Sequence, residues 1–248
     1  MRQSAFRPIW WASVNTFLKP EHVFVVDSAS PTPTDDSAFT STPIQQLRLT
    51  VNPGHAQNTT HHYCGWMASV VLGLEYTLAC GADYFLYVEQ DALVYGRDLV
   101  ARVERELIRS RYVFGSGEGT CWPLQQSLFA IRKDGIRPFL KRIHGIAYCD
   151  RDVAPEIKFA LGSDISVLRY WISRAFLAPS LAAPLRYGVG MRLAGMAPGF
   201  AALPFGYGRY RPINFDDSCF YFQHATLNEI ATYRAKIGIG GAADGWRA

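Results

Sequence analysis

Residues 65–94, GWMASVVLGLEYTLACGADYFLYVEQDALV, constrain the fold more than any other part of the chain. Met67, Val70, Val71, Leu74 and Leu78 recur at helical spacing, which predicts a helix over residues 65–80 ended by Gly81. The pattern then changes within a few residues to YFLYV, residues 84–88, apolar on both faces as a central sheet strand must be. Helix and doubly covered strand in direct succession require helices layered on a sheet, so the chain is an α/β protein. Glu89 and Asp91 follow at once. Unpaired charges cannot continue the strand into the core, so these carboxylates must face solvent, another cation or a metal. Their place beyond the C-terminal end of a buried strand is where open α/β sheets bind ligands. A hard divalent cation held there can share phosphate oxygens with a substrate. Asp91 is the expected direct ligand, and Glu89 is expected to reach the metal directly or through water.

The remaining chain is read around this unit. Residues 8–15 (PIWWASVN) are expected as a buried first strand and residues 22–27 (HVFVVD) as a second, joined by a linker too short for a crossover helix. Residues 28–36, SASPTPTDD, have loop chemistry, and residues 46–51 form a third strand candidate. A charged helix is expected around residues 97–110, strands at 112–114 and 127–131 about a glycine-rich loop with Trp122, and a helix over 135–144. Residues 150–161 read as irregular, and Ser163-Asp164 precede an amphipathic helix, ISVLRYWISRAF. Residues 176–208 carry arginines as their only charges and take no assignment; they are expected to form an acceptor lid or a peripheral membrane surface.

Composition narrows the class. With 248 residues, 49% hydrophobic and 14% aromatic, the chain can bury a substantial core. A formal charge of +4, dispersed along the sequence, suits phosphorylated ligands and gives no ground for expecting nucleic acid. Five cysteines, an odd number without a CxxC pair, favour a reducing cytoplasm over a disulfide framework or zinc module. No apolar run has the length of a signal segment or a membrane span.

HVFVVDSASP resembles the Asp-Asp-x-Ser strand motif of family 2 glycosyltransferases, and GLEYTLACGADYFLYVEQDALV is similar to that family's helix, Gly-Ala-Asp turn, strand and Asp-x-Asp motif. The resemblance implies a GT-A fold: a mixed, mainly parallel central sheet with flanking helices, as one domain over residues 1–248. Residues 1–115 would form the nucleotide-sugar half and 116–248 the acceptor half. It also implies a UDP- or GDP-sugar donor, manganese or magnesium, and a glycan or lipid-linked acceptor. Glu89 stands where the family has its first Asp, and the family's helix between the first two strands is nearly missing. By this resemblance Asp27 and Ser28 contact the nucleotide, with Ser13 and Asn15 lining the same pocket, and Gln90 lies with the acidic motif. Asp27 could equally cap its own turn.

Asp164 is the expected catalytic base, preferred to Glu156, Asp152 and Asp150 because it precedes the amphipathic helix as the family's acidic base does. An Asp there could also serve only as a helix cap. Near the C-terminus, GYGRYRPINFDDSCFYFQHAT offers Arg209 and Arg211 to a diphosphate and His224 to the metal shell. His55, His61 and His62 read as loop residues near the donor site. Two rivals to an inverting transfer remain. A sugar nucleotidyltransferase needs a glycine-rich basic loop where this chain has Asn15-Thr16-Phe17-Leu18-Lys19. A non-catalytic carbohydrate- or nucleotide-binding module could use Trp10, Trp11, Trp66, Trp122 and Trp171 as stacking platforms.

Overall fold

The computed structural model describes residues 2–30, 44–163, 165–182 and 199–238, with positions 185, 188, 189, 192, 193 and 196 between them. Asp164 and most of the proline-containing loop after Ser30 lie outside the described residues. In chain order the described elements are α1 (Arg2–Phe17), β1 (Val23–Asp27), β2 (Ile44–Arg48), α2 (Gly65–Cys80), β3 (Tyr84–Val88), β4 (Ala92–Tyr95) and α3 (Leu99–Arg109). There follow β5 (Tyr112–Ser116), β6 (Leu124–Arg132), α4 (Lys133–His144), α5 (Pro155–Gly162), α6 (Val167–Phe176), β7 (Ala201–Ala202), β8 (Phe220–Gln223) and α7 (Leu227–Lys236).

The centre is a four-stranded sheet in the order β3-β6-β5-β7, with β6 antiparallel to both β3 and β5 and β7 parallel to β5. Alternation along β5 and β6 sends side chains to two separate layers. Tyr112, Phe114, Phe129 and Ile131 pack with α2, α4 and α5, where Phe159 sits against Trp66, Phe114, Phe129 and Phe139. Val113, Leu128 and Ala130 face the other way, toward Trp11 and Val14 of α1 and Val103 and Leu107 of α3. Helices therefore cover both faces of the sheet, as the sequence of residues 65–88 requires. The mainly parallel sheet expected from the resemblance is not what these strands form: β1 pairs β2 in parallel, but β4 pairs β8 antiparallel and the central sheet is mixed.

Three expectations are corrected. Residues 8–15 belong to helix α1, not to a strand. Buried Ile9, Trp11 and Ser13 do alternate, but Val14 and Leu18 continue the buried set at steps of three and four, a face only a helix presents. Because α1 runs straight into β1, no crossover between two adjacent strands is needed. Residues 150–161 are not irregular throughout: Pro155 opens α5 from its first turn, where a proline lacks no hydrogen bond. The helix after Asp164 begins at Val167, and its cap is Ser166, whose hydroxyl accepts from the Arg169 N–H. By contrast α2 and β3 have the bounds read from the sequence, with Gly81 at φ 78° closing the helix in the left-handed region.

Candidate active site

The acidic tripeptide is a turn between two strands. Val88 ends β3, the Glu89 N–H donates to the Ser127 carbonyl of β6, and the Ala92 N–H returns to the Glu89 carbonyl at 2.9 Å, so Glu89 to Ala92 close a four-residue turn into β4. Trp10 of α1 holds the turn from outside by donating its indole N–H to the same carbonyl at 3.0 Å. Gln90 is left exposed at the tip. The β4–β8 register pairs Ala92 with Gln223, so the next position brings His224 opposite Asp91, and His224 Nε2 lies 3.2 Å from Asp91 Oδ2. His224 takes φ 55°, a left-handed conformation uncommon outside glycine and of the kind that clusters at functional sites.

A cavity of about 200 Å³ opens beside the turn. Glu89, Gln223 and Arg209 form one side, Ser127 and Gln125 of β6 another, and Trp66, Trp122 and Glu156 are on its wall. Arg209 is placed by its backbone N–H, which donates to Gln125 Oε1, while Gly208 bridges to Phe222 and extends the β4–β8 pair. Glu156 occupies the first turn of α5. Below it, Lys158 and Asp150 form an ion pair at 2.7 Å with both side chains fully buried, and Asp150 Oδ2 also accepts from the Cys64 N–H. That pair ties α5 to the entry of α2, so Glu156 and the Cys64-to-Trp66 wall of the cavity are fixed to each other.

Charge is crowded at this end of the cavity, which Glu89, Glu156 and Arg209 line and Asp91 and His224 do not. Burial, reinforced by the neighbouring Asp91 charge, pushes the Glu89 carboxyl up to about 7, although Arg209 and the hydrogen bond from Gln223 Nε2 at 3.0 Å oppose this. Burial also raises Asp91, against the pull of His224 and Arg209. Glu156 is raised by burial, with its backbone N–H and Arg209 acting in the opposite sense. Asp91 Oδ1 is buried without a hydrogen-bond partner, which is uncommon for a carboxylate oxygen. Ser127 Oγ and Gln126 Nε2, in residues that line the cavity, are unpartnered too.

Of the expected metal set of Glu89, Asp91 and His224, Glu89 accepts a hydrogen bond from Gln223, and among the described residues no three His, Cys, Asp or Glu side chains are grouped as metal ligands. Asp91 and His224 remain, and an orphaned carboxylate oxygen beside an imidazole fits a divalent cation whose other ligands are water or substrate oxygens.

The other expected residues divide. Ser13 is sealed inside α1, its hydroxyl donating to the Trp10 carbonyl at 2.8 Å, and cannot line a ligand pocket; Asn15 is on the same helix and outside the cavity lining. Arg211 is not among the residues lining the cavity either. It is held by Glu229, by the Gln223 carbonyl at 2.8 Å and by the ring of Phe222. Asp27 ends β1 and does cap its own turn, accepting from the Ser30 N–H at 2.8 Å. Burial pushes its carboxyl up, but Ser30, Arg48 and Arg7 outweigh this and hold it below the ordinary value of 3.8; its Oδ2 is buried without a hydrogen-bond partner. Ser28 Oγ donates to the Gly65 carbonyl at 3.5 Å, and Gly65 in turn donates to the carbonyl of Gly54, at the cavity edge. Thus β1 adjoins the cavity through Ser28 without Asp27 lining it. His55 lines the cavity, whereas His61 and His62 do not.

One contributor, Gln223, was missed in the sequence, and another, Glu156, was ranked below Asp164. Gln223 carries no signal by itself, because its partner is 134 positions away. Glu156 did have one: an Ala-Pro-Glu run places proline and a carboxylate where a helix begins. No family model matches the chain, and no curated protein matches it.

Proposed function

We propose that this chain is a divalent-metal-dependent glycosyltransferase of GT-A type, moving a sugar from a nucleoside diphosphate to a hydroxyl acceptor with inversion. The observation that carries this reading is the meeting of Asp91, with its unpartnered buried oxygen, His224, Arg209 and Glu89 at the end of β3, beside a cavity that also contains Glu156. In this role Arg209 pairs with the diphosphate, whose departure leaves charge that a guanidinium stabilises. Manganese or magnesium, held by Asp91 and His224, would neutralise the same diphosphate. Glu89, kept in place by Gln223 and Trp10, accepts hydrogen bonds or, when protonated, donates one to a donor hydroxyl. Glu156 takes the proton from the acceptor hydroxyl, the part first given to Asp164, because among the described carboxylates of that group it is the one that lines the cavity. Asp150 is committed to Lys158 and Asp152 accepts from the Cys149 thiol, so neither competes. Asp27 and Ser28, at the end of β1, are proposed for the nucleoside, through Asp27 Oδ2, which lacks a hydrogen-bond partner and is 3.6 Å from Arg48 Nε.

A thermal-shift panel of nucleoside diphosphates with and without manganese tests the reading. Stabilisation by diphosphates of one base, and only with the metal, is expected. Absence of a shift with any diphosphate would remove the donor assignment, and calorimetric binding of a sugar without turnover of any donor would favour the binding-module alternative that Trp66 and Trp122 allow.

A further inference from the structure

Helix α6 shows solvent the side that a helix ordinarily hides. Tyr170 and Ser173 are buried beneath it, and the Tyr170 hydroxyl donates to the Arg142 carbonyl at 2.8 Å, which fixes how the helix is rotated. Opposite them, Val167 is 69% exposed, Leu168 70%, Trp171 58% and Ile172 38%. Spaced at one, four and five positions, these residues form a single stripe along the helix. Arginines flank it on both sides: the Arg174 guanidinium lies 4.6 Å over the Trp171 ring, and Arg169 reaches the Leu193 carbonyl with its Nε at 2.7 Å.

Charge distribution says what the stripe is for. Residues 165–215 contain six arginines and no Asp, Glu or Lys; Arg209 and Arg211 serve the cavity and Glu229, while Arg169 and Arg174 are on α6 itself. The whole chain carries only +4, so the rest of it is net acidic and the cationic charge belongs to the segment that begins with α6. An apolar stripe with Trp, bordered by arginines and free of carboxylates, matches an interfacial helix on an anionic surface. Two copies packed stripe to stripe would instead bring like charges together. Among the described residues no helix is long and apolar enough to cross a membrane, so the contact is in the plane of the surface.

We propose that α6 docks this protein on an anionic lipid surface, with Val167, Leu168, Trp171 and Ile172 entering the headgroup boundary and Arg174 meeting lipid phosphates. The proposal does not depend on the transfer reaction. Flotation of the intact chain with phosphatidylcholine vesicles, with and without phosphatidylglycerol, tests it. Binding is expected only to the anionic vesicles, falling as salt shortens the reach of the charges. Leu168→Glu with Trp171→Glu should weaken binding at least about tenfold at an unchanged melting temperature, and Arg174→Glu should weaken it independently. Failure of the wild type to float with anionic vesicles would overturn the proposal. So would undiminished binding by both variants, or a dimer in sedimentation that the double variant dissolves.

Discussion

Asp91 and His224 meet because of register, and each is intelligible only with the other. An Asp in a turn and a His after a strand are ordinary residues; placed 3.2 Å apart, with one carboxylate oxygen buried and without a hydrogen-bond partner, they are the pair proposed to hold the metal. Glu156 gives the sharpest prediction at this scale. A base must be ionised to work, and burial holds this carboxyl above the ordinary value of 4.5. The acid limb of the rate profile is therefore expected above that value, with activity rising as pH increases through it; Glu156→Gln should abolish the limb and lower kcat by about 10² to 10⁴. A variant retaining the wild-type limb would assign the base elsewhere, Asp164 being the first to test. The buried pair beneath it makes a separate prediction. Asp150→Asn strands the Lys158 ammonium and should cost about 3–5 kcal/mol in denaturant unfolding. Replacing both residues together, Asp150→Leu with Lys158→Met, should cost less than the single change.

At the scale of elements, what could be read from the sequence was whatever local chemistry decides. Helix α2, its glycine stop and β3 were legible because periodicity, capping and β pattern all agree over residues 65–88. Helix α1 was not, since a short apolar run with partial alternation serves either structure and only packing on β4 and the β5–β6 face decides. The site shows the same divide. Glu89 and Asp91 could be found from position alone, whereas the β4–β8 pairing that supplies Gln223 and His224 joins segments more than a hundred residues apart. Two predictions belong here. Helix α7 begins with a capping box in which Thr226 and Glu229 bond reciprocally, and Glu229 also anchors Arg211. Thr226→Ala should therefore lower stability by about 0.5–2 kcal/mol in denaturant unfolding. Gly208 lies at φ 52°, and a Cβ there would fall onto the Gln125 amide that positions Arg209. Gly208→Ala should cost about 1–3 kcal/mol of stability and raise the KM for a diphosphate donor, an effect steady-state kinetics would separate from simple unfolding.

For the molecule as a whole, helices lie on both faces of the mixed sheet, and the residues proposed for transfer gather at one end of β3 from several elements. The turn after β3, the end of β8, β6 and the start of α5 contribute there, so the grouping exists only in the folded chain. Helix α6 begins after a four-residue link from α5, whose first turn carries Glu156, so the exposed apolar stripe proposed for lipid docking is close in sequence to the cavity wall. The most direct test of the central claim is turnover of a panel of UDP- and GDP-sugars by the wild type and by Asp91→Ala, with manganese and with chelator. The account predicts that one donor class is hydrolysed or transferred only with the metal and that Asp91→Ala loses this activity. Full metal-independent turnover by Asp91→Ala would contradict it.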